Sequence, residues 1–274
     1  MIHKKINLKE QFNVVEDVDL ECLIIPNSNE ININRKHKAL LILPGGGYEF
    51  TSDREADPVA YKFLAHDISV FILHYKTKGL SYPSQLLQAA GAIAVIRKNA
   101  KEWNIDENQI YAMGFSAGGH LCGNLATINE DKEIISALNV TNEDIKVNGM
   151  ILCYPVVTLK EFTHLGSRDN LLQNKLNNEM IEKLSIENRI TKNTPPAFIW
   201  HTYNDDLVDV QNSLLLANAL RKHNINFELH IFNDGPHGLS TADINSNYDT
   251  NTTHIKPSIA VWTNLCAEWM KRTL

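Results

Sequence analysis

Short apolar runs alternate with longer stretches in which apolar residues recur every three to four positions, and this rhythm holds from residue 39 onward. Ala39–Leu43 (ALLIL), Val70–Tyr75 (VFILHY), Ile110–Met113 (IYAM), Val147–Tyr154, Ala197–Trp200 (AFIW) and Phe227–Phe232 (FELHIF) read as strands. Between them, Pro83 can open a helix. Leu86, Leu87, Ala90, Ile93, Ala94 and Ile96 continue it at helical spacing to about Trp103. Further helices are predicted over 117–128, 210–223 and 257–272. Strand and helix in alternation imply a mostly parallel sheet of about eight strands with helices on both faces. The first 25 residues depart from the rhythm, and VVEDVDLECLII predicts an antiparallel hairpin at one sheet edge. Residues 158–194 depart again: a polar stretch of 37 residues, with a helix expected near Asn178–Leu184, is longer than a usual connection between strands. It reads as a cap or lid excursion within a single domain spanning 1–274, against the plainer alternative of a surface excursion.

Composition narrows the classes. Of 274 residues, 43% are hydrophobic and 21% charged, as in ordinary globular domains. The 26 Lys and Arg against 32 Asp and Glu leave a formal charge of −6, which argues against a nucleic-acid or anionic-lipid partner. The longest apolar run, Met150–Val157, has eight residues and contains Pro155, too short for a transmembrane span. MIHKKINLKEQFNVVEDVDL has no apolar core after its lysines, so a cytoplasmic protein is expected. Cys22, Cys122, Cys153 and Cys266 lie far apart, form no C-x-x-C pair and are expected reduced and buried. No metal site is expected from them.

Four features at successive strand ends carry chemistry. Gly114-Phe115-Ser116-Ala117-Gly118 follows the strand IYAM and opens a helix. A serine at such a turn stands clear of the sheet above a helix N-terminus, whereas the bland reading is a glycine-rich turn. Seventy residues earlier, Pro44-Gly45-Gly46-Gly47-Tyr48 follows ALLIL and can expose backbone N–H groups. Gly46 and Gly47, with Ala117 after the serine, are the candidate donors to an oxyanion. After AFIW comes His201-Thr202-Tyr203-Asn204-Asp205-Asp206. Asp205 and Asp206 compete for the role of catalytic acid, with Asp209 behind, and either could instead be a helix N-cap. After FELHIF, Gly235-Pro236-His237-Gly238 places a histidine in a glycine-flanked loop. His120, His201 and His230 read as local packing or hydrogen-bonding residues. Tyr48, Arg54, His164 and Ser167 are candidate substrate contacts. For Arg54 and Glu55, a structural ion pair is the plainer reading.

Serine, acid and histidine in that chain order match α/β-hydrolases. The segments LLILPGGGYEFTSDREADPVA, GFSAGGHL, PPAFIWHTYNDDLVDVQNSLLLANAL and ELHIFNDGPHGLS resemble the bacterial feruloyl- and acetylxylan-esterase-like branch of that superfamily, related to prolyl oligopeptidases, from about residue 35 to 272. The resemblance implies the α/β-hydrolase fold, a Ser116–Asp205–His237 triad without cofactor, and a small-molecule ester as partner. Its D-x-x-V pattern selects Asp205, with Val208 completing it. Pro44 stands where lipase-type relatives have histidine, which favours the carbohydrate-esterase-like branch, and that resemblance with the polar 158–194 excursion implies short-chain esters, acetyl above all, of sugars or small carbohydrate-derived compounds. A lipase or a peptidase on the same triad is the alternative activity, and a non-catalytic binding protein the alternative class. A homo-oligomer is compatible with the sequence.

Overall fold

The computed structural model describes all residues except Asn129, Glu130, Asp249, Asn251 and Leu274. Its centre is an eight-stranded sheet in the order β1-β2-β4-β3-β5-β6-β7-β8. The strands are β1 (Ile2–Asn7), β2 (Asp19–Ile24), β3 (His37–Leu43), β4 (Ile68–Leu73), β5 (Ile105–Phe115), β6 (Gly149–Cys153), β7 (Ala197–Thr202) and β8 (Phe227–Phe232). From β4 to β8 neighbouring strands run parallel, while β1 and β2 are antiparallel at one edge. The hairpin is where the sequence predicts it, but its outer strand is the polar segment IHKKIN upstream. An edge strand facing water needs no apolar run.

The helices are α1 (Leu8–Gln11), α2 (Asp57–Leu64), α3 (Ser84–Lys98), α4 (Ala117–Ala126), α5 (Lys132–Leu138), α6 (Leu165–Leu172), α7 (Asn178–Leu184), α8 (Gln211–Lys222), α9 (Pro257–Ala260) and α10 (Trp262–Thr273). Two cores lie on opposite faces of the sheet, and the strands feed them by strict alternation. Leu41, Leu43, Phe71, Ala112, Leu152 and Ile199 pack with α3 and α4. Leu40, Ile42, Ile72, Met113, Ile151 and Trp200 pack with α2 and α10. Burial on both faces explains why these strands are continuous apolar runs rather than alternating ones.

Several boundaries differ from those expected, β5 most, running over Ile105–Phe115 rather than Ile110–Met113, and three of the others have a visible cause. β4 ends at Leu73, because its partner β3 supplies pairing only to the Ile42–Ile72 level, and Tyr75 turns its hydroxyl to the Pro44 carbonyl at 2.8 Å. α3 stops at Lys98 rather than near Trp103, since the Asn99 side chain binds the Val95 carbonyl at 2.8 Å. The C-terminal helix is divided at Val261, where Trp262 plunges into the core and its indole N–H meets the Ser240 carbonyl at 2.9 Å.

Residues 158–194 carry α6 and α7, the latter over the expected Asn178–Leu184. Leu171, Leu172, Leu184 and Ile186 are buried in the α3/α4 core. Asn212 anchors the start of the excursion: its amide oxygen accepts from the N–H groups of Val157 and Thr158 at 2.9 and 3.1 Å. Its amide nitrogen donates to the Phe162 carbonyl at 2.8 Å. No helix among the described residues is long and apolar enough to cross a membrane.

Candidate active site

Ser116 sits between β5 and α4 with φ 53° and ψ −119°, a conformation that costs an L-residue energy and is held from three sides. Its N–H donates to the Cys153 carbonyl at 3.0 Å, and its own carbonyl accepts from Val156 at 3.0 Å and His120 at 3.2 Å. The flanking glycines are forced by close approach. A Cβ on Gly114 would lie 2.0 Å from the Gly118 oxygen, and one on Gly118 2.1 Å from the Leu43 oxygen.

The His237 Nε2 lies 2.8 Å from Ser116 Oγ. Its Nδ1 lies 2.8 and 3.0 Å from the two carboxylate oxygens of Asp205. Asp205 Oδ1 also accepts from the backbone N–H groups of Leu207 and Val208 at 3.0 and 2.8 Å. His201, fully buried, stands 3.3 Å from Asp205 Oδ2. Burial opposes the Asp205 charge, yet the hydrogen bonds from His201 and His237 outweigh it and hold the pKa well below the usual carboxylate range. A depressed folded pKa means a stabilising contribution that is present above about pH 4 and lost as acidification passes through the folded value. Asp206 points elsewhere: its carboxylate accepts the backbone N–H of His237 at 3.0 Å. Asn204 completes this strap between the two loops, donating to Asp234 at 2.9 Å and accepting from the Gly235 N–H at 2.8 Å.

Gly46 and Gly47 take positive φ values of 130° and 65° and line a cavity of about 450 Å³ together with Ser116 and His237. Ala117 is the first residue of α4, so its N–H has no partner within the helix. The candidate substrate contacts divide. His164 and Arg54 line the cavity. Tyr48 does not: its side chain is buried, with the hydroxyl 2.9 Å from His120 Nδ1, and it borders a neighbouring cavity instead. Ser167 is likewise buried and serves His164, its Oγ 2.8 Å and its N–H 3.2 Å from His164 Nδ1. Because that N–H donates to Nδ1, neutral His164 carries its proton on Nε2. Burial lowers the His164 pKa and favours this neutral form. Arg54 and Glu55 do not form the ion pair that their adjacency suggests. Arg54 donates to the carbonyls of Ser246 and Gly238 at 2.7 and 2.8 Å. His120, as expected, serves the local structure, and burial lowers its pKa to about 4. His230 stays on β8, 2.9 Å from Glu228.

Sequence reasoning missed the group that ties the glycine loop to the histidine loop. Glu55 is buried and accepts from the Gly45 N–H and the Tyr154 hydroxyl, both at 2.7 Å. The Ser240 N–H donates in turn to the Tyr154 oxygen at 2.9 Å. The Tyr154 ring meets the His237 ring edge-on, with centroids 5.0 Å apart. Burial raises the Glu55 pKa, while the Tyr154 and Gly45 bonds pull it back. The signal available beforehand was a Tyr-Pro pair at the end of β6, a strand end assigned no chemistry. Tyr154→Phe should keep the ring but leave the buried carboxyl one donor short. A loss of roughly 2 kcal/mol in folding stability is expected, read as a lower urea midpoint at unchanged m-value.

This arrangement can activate a hydroxyl through an imidazole oriented by a carboxylate, beside N–H groups able to receive an anion. Known proteins are similar to this chain in sequence and fold. Residues 28–220 match the BD-FAE family model. The chain is 38% identical to endo-1,4-beta-xylanase B of Butyrivibrio fibrisolvens over 218 residues, covering 77% of this chain and 34% of that one. It is 29% identical to an acetylxylan esterase of Xylanibacter ruminicola over 212 residues, covering 75% and 42%. It therefore spans well under half the length of these two relatives. The fold matches the acetyl ester-xyloside bifunctional hydrolase of Caldicellulosiruptor lactoaceticus with a TM-score of 0.84 at 34% identity, covering 98% of this chain and 95% of that one.

Proposed function

Since the chain belongs to the BD-FAE family of α/β-hydrolases, we propose that it is a serine carboxylesterase removing short acyl groups, acetyl above all, from sugars or small carbohydrate-derived compounds. The observation that carries this reading is the continuous relay from Ser116 Oγ through His237 to Asp205, at 2.8 Å for each link, opening on a cavity lined by Gly46 and Gly47. The relatives add the acyl and sugar chemistry: one is an acetylxylan esterase and another an acetyl ester-xyloside hydrolase.

In this mechanism Ser116 Oγ attacks the ester carbonyl while His237 Nε2 takes its proton. Asp205 holds the imidazole in the tautomer with Nδ1 protonated and stabilises the imidazolium. The tetrahedral oxyanion is held by the N–H groups of Gly46, Gly47 and Ala117, each such donor contributing on the order of 3 kcal/mol to transition-state stabilisation. His237 then protonates the departing alcohol, leaving an acyl-Ser116 enzyme. A water molecule, deprotonated by His237, attacks the acyl carbonyl and releases the carboxylic acid. The 158–194 excursion acts as a cap that brings His164 to the cavity wall, where its Nε2–H serves as a neutral donor to the substrate.

Chain-length profiling tests the reading. p-Nitrophenyl acetate should be hydrolysed at least tenfold faster in kcat/KM than the decanoate, and acetylated sugars should be deacetylated. Faster decanoate turnover with interfacial activation would place the protein among lipases. Turnover of aminoacyl amides in preference to esters would place it among peptidases.

A further inference from the structure

We propose that the surface beyond Phe50 is a glycan subsite that holds the sugar residue next to the acylated one, making an acylated oligosaccharide a better substrate than an acylated monosaccharide. The inference rests on the esterase reading above and extends it to the alcohol portion of the ester.

Phe50 and Glu49 belong to the walls of three cavities. One is the Ser116 cavity. A second, also of about 450 Å³, is lined further by Tyr48, Thr77, Lys78, Asn170 and Gln173. A third, of about 500 Å³, shares Thr77 and Lys78 with it. The backbone of Phe50 is held to the glycine loop, its N–H donating to the Gly46 carbonyl at 3.2 Å, yet its side chain is 58% exposed. The ring stands at the junction of these concave surfaces, where a ligand laid over it removes apolar area from water. Its flat, electron-rich face suits the row of polarised C–H bonds on one face of a pyranose.

The polar groups beyond the ring are set for hydroxyls. Asn170 gives an amide N–H to the Gly47 carbonyl at 2.9 Å, and Gln173 donates to the carbonyls of Leu80 and Asn170 at 2.9 and 3.3 Å. Their amide nitrogens bond to backbone, and their amide oxygens keep lone pairs to accept from a ligand. The Thr77 hydroxyl donates to the Glu49 carbonyl at 2.8 Å and likewise retains lone pairs. Glu49 and Lys78 make no side-chain ion pair among the described residues. A carboxylate can accept two hydroxyls of a vicinal diol, and an ammonium can donate to ring or hydroxyl oxygens. Acceptors in excess of donors beside an exposed aromatic face match a neutral polyol ring better than a phosphate or a fatty chain.

The test compares kcat/KM for mono-O-acetylated methyl β-xyloside and for xylobiose and xylotriose acetylated on the terminal residue. The ratio of oligosaccharide to monosaccharide is taken within each protein, so changes common to both substrates cancel. A ratio of at least ten, expressed mainly in KM, is expected for wild type. Phe50→Ala should bring it below three, Lys78→Ala should lower it severalfold, and Phe50→Trp should preserve it. A second measurement needs no turnover: Ser116→Ala protein should bind unacylated xylotriose by calorimetry, and the added Phe50→Ala change should abolish that binding. A wild-type ratio near one, or a ratio indifferent to both alanine variants, overturns the subsite while p-nitrophenyl acetate turnover leaves the esterase reading standing. Xylotriose binding that persists without Phe50 also overturns it. Absence of turnover on every ester overturns the esterase reading instead, and the calorimetry then decides the subsite separately.

Discussion

Replacing Ser116 by alanine should abolish ester turnover, with a loss of at least about 10⁵-fold in kcat, and leave the fold intact. The hydroxyl is the end of the relay, the group that His237 Nε2 meets at 2.8 Å. The strained backbone at φ 53° is set by hydrogen bonds from main-chain atoms, so removing Oγ does not release it. Circular dichroism and the thermal midpoint should therefore match wild type. A fluorophosphonate probe should label the wild-type protein at Ser116 and fail to label the variant. Labelling at a different serine, or residual turnover within a hundredfold of wild type, would move the nucleophile elsewhere.

Asp205→Asn should lower kcat by about 10⁴-fold, because an amide can donate to Nδ1 and so stabilises the tautomer that leaves Nε2 protonated and unable to take the serine proton. Asp206→Asn should cost less than tenfold. Its carboxylate binds the His237 backbone N–H at 3.0 Å, and the amide oxygen of asparagine can accept the same bond. The comparison is informative because the two residues are neighbours with the same chemistry. A larger loss at Asp206 would reverse the assignment. Nδ1 of His237 lies within 3.0 Å of both Asp205 oxygens, which makes the expected order unambiguous in geometric terms.

How much of this was legible beforehand depends on the range of the interaction. The parallel strands, the turn at Ser116 and the glycine loop follow from local patterns: continuous apolar runs buried on both faces, and small residues where backbone approaches backbone. Even α7 is found at its expected residues, since Asn177 supplies a local cap, its side chain accepting from Met180 at 2.9 Å. The ends of α3 and of the C-terminal helix were not legible to the residue. An asparagine side chain bonding back four residues ends the first, and Trp262 docking on Ser240 accompanies the break before the second.

At the site, the sequence alone determined which residue types stand at the strand ends and in what order, because each motif is written in a few consecutive residues. Choosing between Asp205 and Asp206 on local grounds left both open, and the family resemblance selected Asp205. The tertiary structure shows why the neighbours differ: one carboxylate meets an imidazole 32 residues away and the other the backbone of that same histidine. Only the packed chain could pair Glu55 with Tyr154, 99 residues apart, turn Tyr48 onto His120, or place Phe50 at the meeting of three cavities. Such contacts arise where separate loops converge on one edge of the sheet. Their partners are chosen by burial and by the need to satisfy buried polar groups, and neither is visible in a window of neighbouring residues.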